Sequence, residues 1–234
     1  MSKYANRFAR DSDEDVFRAY TIDQGYVISN YVGINTMSPF VHQYWTKPDA
    51  FFKWCACLHM FEDVAKKDMK VIDLGSGDGP ICHILADRGY DVIGVDVKPW
   101  NFPFNSIARI VIQDAVEFLD EYEDESVDIF IDGCAVTHFN VEHTDTIPNK
   151  GWKAIFEGVR RVMKPDGYFI VTSDVVLEKG IYQGEIISPE QIIEMAEDAG
   201  LALTSEFDYN REGALKRFET QKDLAVINCV FVKK

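Results

Sequence analysis

Three glycines at alternate positions follow an apolar run in the sequence VIDLGSGDGP, which extends from Val71 to Pro80. A segment with helical periodicity follows the proline and stops at Gly89. Glycine permits a sharp turn and a close approach of backbone N–H groups to a ligand, and proline is favoured in the first turn of a helix. The sequence therefore predicts a strand, a bare loop and a helix whose N-terminus faces a ligand.

Strand-like and helix-like segments alternate through the rest of the chain. Seven segments have the composition of buried strands: 69–74, 91–97, 108–115, 126–133, 168–175, 201–207 and 224–232. Five have helical periodicity: 48–67, 80–90, 116–122, 150–164 and 188–200. This alternation predicts an α/β fold with a mainly parallel sheet that is covered on both faces. No helix separates the last two strands, so we expect them to pair antiparallel.

Acidic residues stand at or near the ends of the first three predicted strands: Asp73, Asp96 and Asp114. Ligands of such sheets bind beyond the carboxyl ends of the strands, near the point where strand order reverses. Asp96 lies 17 residues after Gly79, where an acid can accept hydrogen bonds from ribose hydroxyls, and Asp114 is placed to accept from an exocyclic amine. For each acid taken singly, a turn or cap aspartate is the alternative interpretation.

The same residues disfavour a dinucleotide. A dinucleotide-binding loop has the pattern G-x-G-x-x-G, whereas the third glycine here comes one residue early and Pro80 takes the place of the last glycine. Carboxylates on both sides of the loop would also repel a pyrophosphate. A ligand with a ribose, an adenine amine and a cationic end suits these residues better, and an NAD(P) oxidoreductase stays as a disfavoured alternative.

The segments VIDLGSGDG, QDA (113–115) and VDIFIDG (127–133), with Asp96, resemble the Rossmann-like (class I) S-adenosylmethionine-dependent methyltransferases over roughly residues 64–232. The resemblance implies a doubly wound, mainly parallel seven-stranded sheet with an antiparallel last strand. The resemblance implies a cofactor-binding domain over 67–234, and the aromatic-rich N-terminal region predicts a lid that, with the first helix, covers 1–66. The implied enzyme moves a methyl group from S-adenosylmethionine to an oxygen or nitrogen of a small-molecule acceptor by in-line displacement, leaving S-adenosylhomocysteine.

The resemblance also assigns roles around the cofactor. Asp73 is expected to serve the methionyl amino group, Asp96 the ribose hydroxyls and Asp114 the adenine amine. The other implied contacts come from the glycine loop, from residues beside the adenine and from the end of the fourth strand: Gly75, Ser76, Gly77, Gly79, Val97, Ala115, Val116, Asp132 and Gly133.

Methyl transfer to an oxygen or to a protonated nitrogen also needs a base. His138, just past the fourth strand, is the candidate, and His143 follows closely; a histidine that only hydrogen-bonds a loop is the alternative. Candidate acceptor contacts are aromatic residues of two segments outside the sheet: Tyr26, Tyr44, Trp45 and Tyr182. Their packing onto the sheet is the competing interpretation. The neighbouring Asp-Asn pair of metal-dependent members is replaced by SDVV (173–176), so we expect no metal.

Charge and composition restrict the partners. Lys and Arg number 24 and Asp and Glu 39, and the formal net charge of −15 opposes contact with phosphate backbones. No apolar run approaches membrane-spanning length, so we expect neither nucleic acid nor a membrane as partner. Five cysteines, an odd number, indicate free thiols and a cytoplasmic location. An aminopropyltransferase-like enzyme and a non-catalytic S-adenosylmethionine-binding partner subunit stay open, as do the acceptor and the oligomeric state.

Overall fold

The computed structural model describes residues 2–13, 48–77, 79–98, 108–135, 150–178, 186–214, 216–218 and 221–234. Five helices lie in these residues: α1 (Pro48–Val64), α2 (Pro80–Asp87), α3 (Ala115–Asp120), α4 (Lys150–Val162) and α5 (Pro189–Asp198). The described strands are β1 (Arg7–Phe8), β2 (Lys70–Leu74), β3 (Asp91–Asp96), β4 (Arg109–Ile112), β5 (Val127–Gly133), β6 (Met163–Val176), β7 (Leu201–Leu203), β8 (Lys216–Phe218) and β9 (Gln221–Lys233). A 3-10 turn at Asp11–Asp13 follows β1.

The described strands form one sheet in the order β1–β9–β6–β5–β2–β3–β4, and β7 and β8 also pair with β9. Within the group β2 to β6, every two neighbouring strands run parallel. Strand β9 is antiparallel to β6, β7, β8 and β1. The predicted fold class is confirmed, including the antiparallel pairing of the last two predicted strands. The two strands beyond the expected seven are β1 and β8, which are two and three residues long.

Hydrophobic clusters cover both faces of the sheet, which explains why the central strands are apolar at nearly every position. Residues of α1 and α2 pack with one side of β2, β5 and β6. Residues of α3, α4 and α5 pack with the other side, where the rings of Phe156, Phe169 and Phe231 meet with centroids 5.7–6.3 Å apart. Both faces of the sheet are therefore covered, and the carboxyl ends of the strands are the place for a ligand.

Strand order reverses at β2, because β3 lies on one side of it and β5 on the other. The loop at 75–79 leaves the carboxyl end of β2 at this reversal, where such sheets bind ligands. The five predicted helices are present, each two or three residues shorter at its C-terminal end than predicted, as fraying helix ends allow. Across the part of the chain described above, no helix combines the length and hydropathy needed to cross a membrane.

The described parts of the predicted lid segment pack onto the sheet. Arg7 and Phe8 pair with Asn228 and Ile227 of β9, and α1 contacts β5, β6 and β9. Residues 14–47 lie outside the described residues, so the division into a lid over 1–66 and a binding domain over 67–234 stays a prediction.

Candidate functional site

The loop after β2 has left-handed backbone at each of its three glycines. The φ angles are 64° at Gly75, 57° at Gly77 and 74° at Gly79, a region that residues with a Cβ rarely adopt. The Ser76 N–H donates to the carbonyl of Val95 at 2.9 Å, and the Gly79 N–H donates to the carbonyl of Ser76 at 2.8 Å. The predicted strand–loop–helix unit is present, and the loop is anchored to β3.

A glycine in β3, Gly94, lets this loop and α2 approach the sheet closely. A Cβ at Gly94 would lie 2.7 Å from each of three side-chain atoms, which belong to Ser76, Cys82 and Ile110. The Ser76 Oγ is buried against Gly94 and has no hydrogen-bond partner among the described residues. The sequence analysis missed Gly94, although an isolated glycine inside a strand is a signal of close backbone approach.

Asp96 links the end of β3 to the glycine loop. Its Oδ2 accepts a hydrogen bond from the Gly77 N–H at 2.8 Å, and its Oδ1 accepts one from the Lys98 N–H at 3.0 Å. A carboxylate offers about four acceptor sites, so both oxygens keep capacity for further donors. Asp96 and the following residue, Val97, are partly exposed. The carboxylate is therefore fixed in position and still reachable.

Asp73 lies deeper, at the end of β2, and is only 2% exposed. Burial raises the pKa of its carboxyl group to about 8; the Cys82 thiol, which donates to Asp73 Oδ2 at 3.3 Å, opposes this, and the charges of Asp132 and Asp96 add to it. Burial disfavours the charged form of an acid, and a nearby cation restores it. Asp73 is therefore a group whose ionisation a cationic ligand would favour.

Asp114 caps α3 instead of ending a strand. Its Oδ1 accepts hydrogen bonds from the N–H groups of Val116 at 2.8 Å and Glu117 at 3.2 Å. β4 ends earlier, at Ile112, and Ala115 is the first residue of α3. The Val116 N–H is thus engaged by Asp114, whereas the described hydrogen bonds leave Asp114 Oδ2 unused, and its role toward an adenine amine stays a prediction.

Asp132 and Gly133 are the last two residues of β5, which pairs with β2, the strand before the glycine loop. The Asp132 Oδ1 accepts from the Ala135 N–H at 2.8 Å, and the residue is fully buried. A Cβ on Gly133 would lie 3.3 Å from both Trp54 of α1 and Ile81 of α2. The end of β5 is therefore the place where both helices of this face come together over the sheet.

The predicted base and acceptor contacts fall on parts of the chain that are not described: His138, His143, Tyr26, Tyr44, Trp45 and Tyr182. Their roles stay predictions. In the described residues, no group of three or more His, Cys, Asp and Glu side chains is arranged to hold a metal ion. Asp174, an acid of β6 in the SDVV segment, pairs instead with the ammonium group of Lys53 at 2.9 Å.

The chain is similar to known methyltransferases in sequence and in fold. A family model described as a methyltransferase domain matches residues 72–171. The chain is 21% identical over 183 aligned residues to a ubiquinone biosynthesis O-methyltransferase of Mesorhizobium japonicum, covering 71% of this chain and 73% of that protein.

Two solved structures share the fold. A TehB-like S-adenosylmethionine-dependent methyltransferase from Corynebacterium glutamicum is 21% identical with a TM-score of 0.53, covering 84% of this chain and 98% of the other. A 1,6-didemethyltoxoflavin-N1-methyltransferase from Burkholderia thailandensis, solved with 1,6-didemethyltoxoflavin and S-adenosylhomocysteine, is 16% identical with a TM-score of 0.55, covering 93% and 89%.

Proposed function

We propose that this chain, whose residues 72–171 match a methyltransferase domain, is a Rossmann-like S-adenosylmethionine-dependent methyltransferase that methylates an oxygen or a nitrogen of a small-molecule acceptor. The observation that supports this proposal is the loop of three left-handed glycines, tied to Asp96 at the point where strand order reverses. A bare backbone beside a fixed carboxylate suits a ribose that carries a cationic amino-acid tail.

The residues present fit the methyl donor. Asp96 holds spare acceptor capacity for the two ribose hydroxyls, and Asp114 Oδ2 is available to the adenine amine. We assign the backbone of the loop, from Gly75 through Ser76 to Gly79, to the methionyl and ribose parts of the donor. Asp73, whose ionisation a cation favours, would serve the methionyl ammonium directly or through water, and Asp132 and Gly133 would contribute carbonyls beside it.

S-adenosylmethionine supplies a methyl group on a positively charged sulfur, which leaves as S-adenosylhomocysteine. The protein has to align the acceptor with that methyl group and exclude water, and positioning of this kind contributes about 7–11 kcal/mol in favourable cases. We assign the removal of the acceptor proton to His138, with His143 as the second candidate, a contribution of about 10²–10⁴-fold. We assign acceptor contacts to Tyr26, Tyr44, Trp45 and Tyr182.

Two observations favour a small acceptor. The net charge of −15 opposes a nucleic-acid substrate, and the relatives reported above are named for ubiquinone biosynthesis and for 1,6-didemethyltoxoflavin. The proposal includes a cytoplasmic location, since all five cysteines are free thiols, as is usual in reducing compartments.

Calorimetry with S-adenosylhomocysteine, followed by a screen of metabolite pools with radiolabelled S-adenosylmethionine, tests the proposal. We expect tight binding and transfer of label to a small product. Binding without transfer to any pool would favour the non-catalytic subunit. Transfer of an aminopropyl group from decarboxylated S-adenosylmethionine, with no methyl transfer, would favour an aminopropyltransferase. A ligand at 100 times its Kd stabilises the fold by about 2.7 kcal/mol. Thermal unfolding that shows greater stabilisation by NADH than by S-adenosylhomocysteine would overturn the donor assignment.

A further inference from the structure

Three side chains from distant parts of the chain form a buried polar group, here called the Lys53 cluster: Lys53 of α1, Cys134 after β5 and Asp174 of β6. The Lys53 Nζ lies 2.9 Å from both carboxylate oxygens of Asp174 and 3.2 Å from the Cys134 Sγ. The side chains of Lys53 and Asp174 are only 7% and 3% exposed. The Cys134 Sγ lies 3.4 Å from Asp174 Oδ2.

The Lys53 cluster lies just beyond the carboxyl end of β5, next to the proposed donor site. Gly133, the last residue of β5, pairs with Thr172 of β6, so Asp174 is two residues past that end. Cys134 directly follows Gly133, which packs against Trp54, the neighbour of Lys53 in the chain. Along the chain, Lys53 follows the undescribed segment 14–47 and Cys134 precedes the undescribed segment 136–149, and these segments carry five of the six predicted base and acceptor residues.

Stability alone is a weak reason for this arrangement. A buried ion pair loses solvation that its attraction only partly offsets, and apolar replacement of both partners is often neutral or stabilising. Cys134 adds a further cost, because its φ of 81° is a left-handed conformation for a residue with a side chain, worth about 1–3 kcal/mol. Strained residues of this kind concentrate at functional sites.

The hydrogen bonds of the Lys53 cluster leave one replaceable position. An ammonium group has three donors; Lys53 uses two of them in hydrogen bonds to Asp174 Oδ2 and the Cys134 Sγ, and Asp174 Oδ1 lies 2.9 Å away as an ion-pair contact. A thiol is a weak acceptor, and Cys134 is the partly exposed member of the cluster. An oxygen atom that enters from the Cys134 side would therefore replace the weakest partner of Lys53.

The charges of the cluster indicate which oxygen fits. Burial lowers the pKa of Lys53, but the neighbouring Cys134 and Asp174 outweigh this, so the pKa is raised and the amine is protonated. The positive charge of Lys53 cancels the negative charge of Asp174. A hydroxyl group can accept from Lys53 and donate to Asp174 at once, whereas an anion would face the Asp174 carboxylate with no proton to share.

We propose that the methyl acceptor carries a hydroxyl group which binds between Lys53 and Asp174, with Cys134 on the side from which it enters. This inference rests on the proposed function and narrows its acceptor class. A hydroxyl would take the place of the Cys134 thiol, which accepts from Lys53 and donates to Asp174, and an acceptor without a hydroxyl would leave these two with the weaker thiol partner. The Lys53 cluster would thus select acceptors as well as hold them.

A paired variant tests this without leaving one buried charge alone. Lys53→Met/Asp174→Leu removes both charges together, and Lys164→Met/Asp128→Leu is the matched control, since Lys164 pairs with Asp128 at 2.7 Å near the start of β5, at the opposite edge of the sheet. We expect both proteins to bind S-adenosylhomocysteine within about twofold of the wild type. We expect kcat/KM for hydroxyl-bearing acceptors to fall by about 100-fold or more in the paired variant only.

The acceptors are compared as pairs, each hydroxyl compound beside its deoxy counterpart, with radiolabelled donor. Full activity of the paired variant on a hydroxyl acceptor, or a wild-type preference for the deoxy member, would overturn the proposal. Failure of the proposed function has a different signature, namely no binding of S-adenosylhomocysteine, or binding with no acceptor methylated.

A thiol measurement tests whether the Lys53 cluster can be reached from the acceptor side, even when no acceptor is found. The protein is saturated with S-adenosylhomocysteine and treated with methyl methanethiosulfonate at about pH 9, because burial raises the pKa of Cys134 to about 11 and the thiolate is the reactive form. The four buried cysteines are internal controls: Cys55, Cys57, Cys82 and Cys229. We expect Cys134 to react at least about tenfold faster than these, with donor binding retained. Equally slow reaction of all five cysteines would mean that the cluster cannot be reached from the acceptor side, and the proposal would be wrong.

Discussion

Asp96 is the single residue on which the donor site depends most. Its carboxylate fixes the loop through Gly77 and presents its remaining acceptor sites at the end of β3. We expect Asp96→Ala to weaken S-adenosylhomocysteine binding by about 10–100-fold, because hydrogen bonds to charged groups contribute about 1.5–3 kcal/mol. Isothermal calorimetry gives the Kd directly.

Two further variants separate the ribose contact from general loss of charge. Asp120→Ala removes a well-exposed acid that lies 3.9 Å from Arg161, away from the loop, and should leave the Kd unchanged. Asp96→Asn keeps an acceptor for the Gly77 N–H and should fall between the alanine variant and the wild type. Equal affinities for Asp96→Ala and Asp120→Ala would show that the ribose assignment is wrong.

Asp73 gives the unliganded protein a defined pH dependence. Its pKa of about 8 in the fold lies above its ordinary value of 3.8, so the fold favours the protonated form. The stability that this group contributes is therefore complete below about pH 4 and is lost as the pH rises through about 8.

We expect the free energy of unfolding of the wild type, relative to Asp73→Asn, to fall by a few kcal/mol between about pH 4 and 8, since each unit of pKa shift corresponds to about 1.4 kcal/mol. Urea unfolding of both proteins at several pH values measures this difference, and any constant effect of the asparagine cancels. Parallel curves for the two proteins would mean that Asp73 ionises in the fold as it does in water. The same reasoning predicts proton release when the donor ammonium binds below about pH 8.

At the scale of elements, α2 is bounded by two glycines that share a backbone conformation but differ in surroundings. Gly79 has φ 74°, and a Cβ there would lie 2.9 Å from the Ile110 side chain; Gly89 has φ 85° and no atom within 4 Å of its Cβ position. We expect Gly89→Ala to lower the free energy of unfolding by about 1–2 kcal/mol through left-handed strain alone.

Gly79→Ala should cost more than this, because the clash adds to the strain, and it should also weaken donor binding by displacing the loop. Thermal unfolding and calorimetry on the two variants provide both comparisons, with Gly89→Ala as the control for strain. Similar losses of stability in the two, with donor affinity intact, would mean that the loop tolerates a side chain at this position.

The elements also show what local sequence can and cannot specify. The capping box of α5 is readable within four residues, and the structure forms both of its hydrogen bonds between Ser188 and Gln191. By contrast, β1 and β8 are too short to carry a periodic pattern, so they were not predicted. Asp114 followed an apolar run, and only the structure shows that its carboxylate caps the next helix.

Long-range pairs escape sequence reasoning for a different reason. Lys53 and Asp174 are 121 residues apart, and neither has a neighbour in the chain that indicates the other. The sequence identified the donor side of the site because those residues sit at strand ends within one motif. It did not reveal the Lys53 cluster, because only the packing of α1 onto β6 brings its members together.

For the whole molecule, β9 joins the N-terminal residues to the remainder of the chain. It pairs with β6 on one side and with β1, β7 and β8 along its other edge. Asn6, just before β1, adds side-chain bonds: its Oδ1 accepts from the Val230 N–H at 2.9 Å, and its Nδ2 donates to Thr204 Oγ1 at 2.9 Å. The donor site lies at β2 and β3, several strands away, so we expect stability and donor binding to respond independently to changes at Asn6.

Asn6→Ala tests that independence. It leaves the buried Val230 N–H without its acceptor, and an unsatisfied buried group costs about 1–3 kcal/mol; the φ of 55° at this position adds strain for alanine. Asn6→Gly removes the same bonds but tolerates the backbone, so the difference between the two variants isolates the strain.

Asn210→Ala, in an exposed turn where Asn210 Oδ1 accepts from the Glu212 N–H, is the control for a surface asparagine. We expect urea unfolding to rank stability as wild type, Asn210→Ala, Asn6→Gly, Asn6→Ala, with one Kd for S-adenosylhomocysteine throughout; a Kd that follows stability would mean that the β9 edge and the donor site respond as one unit.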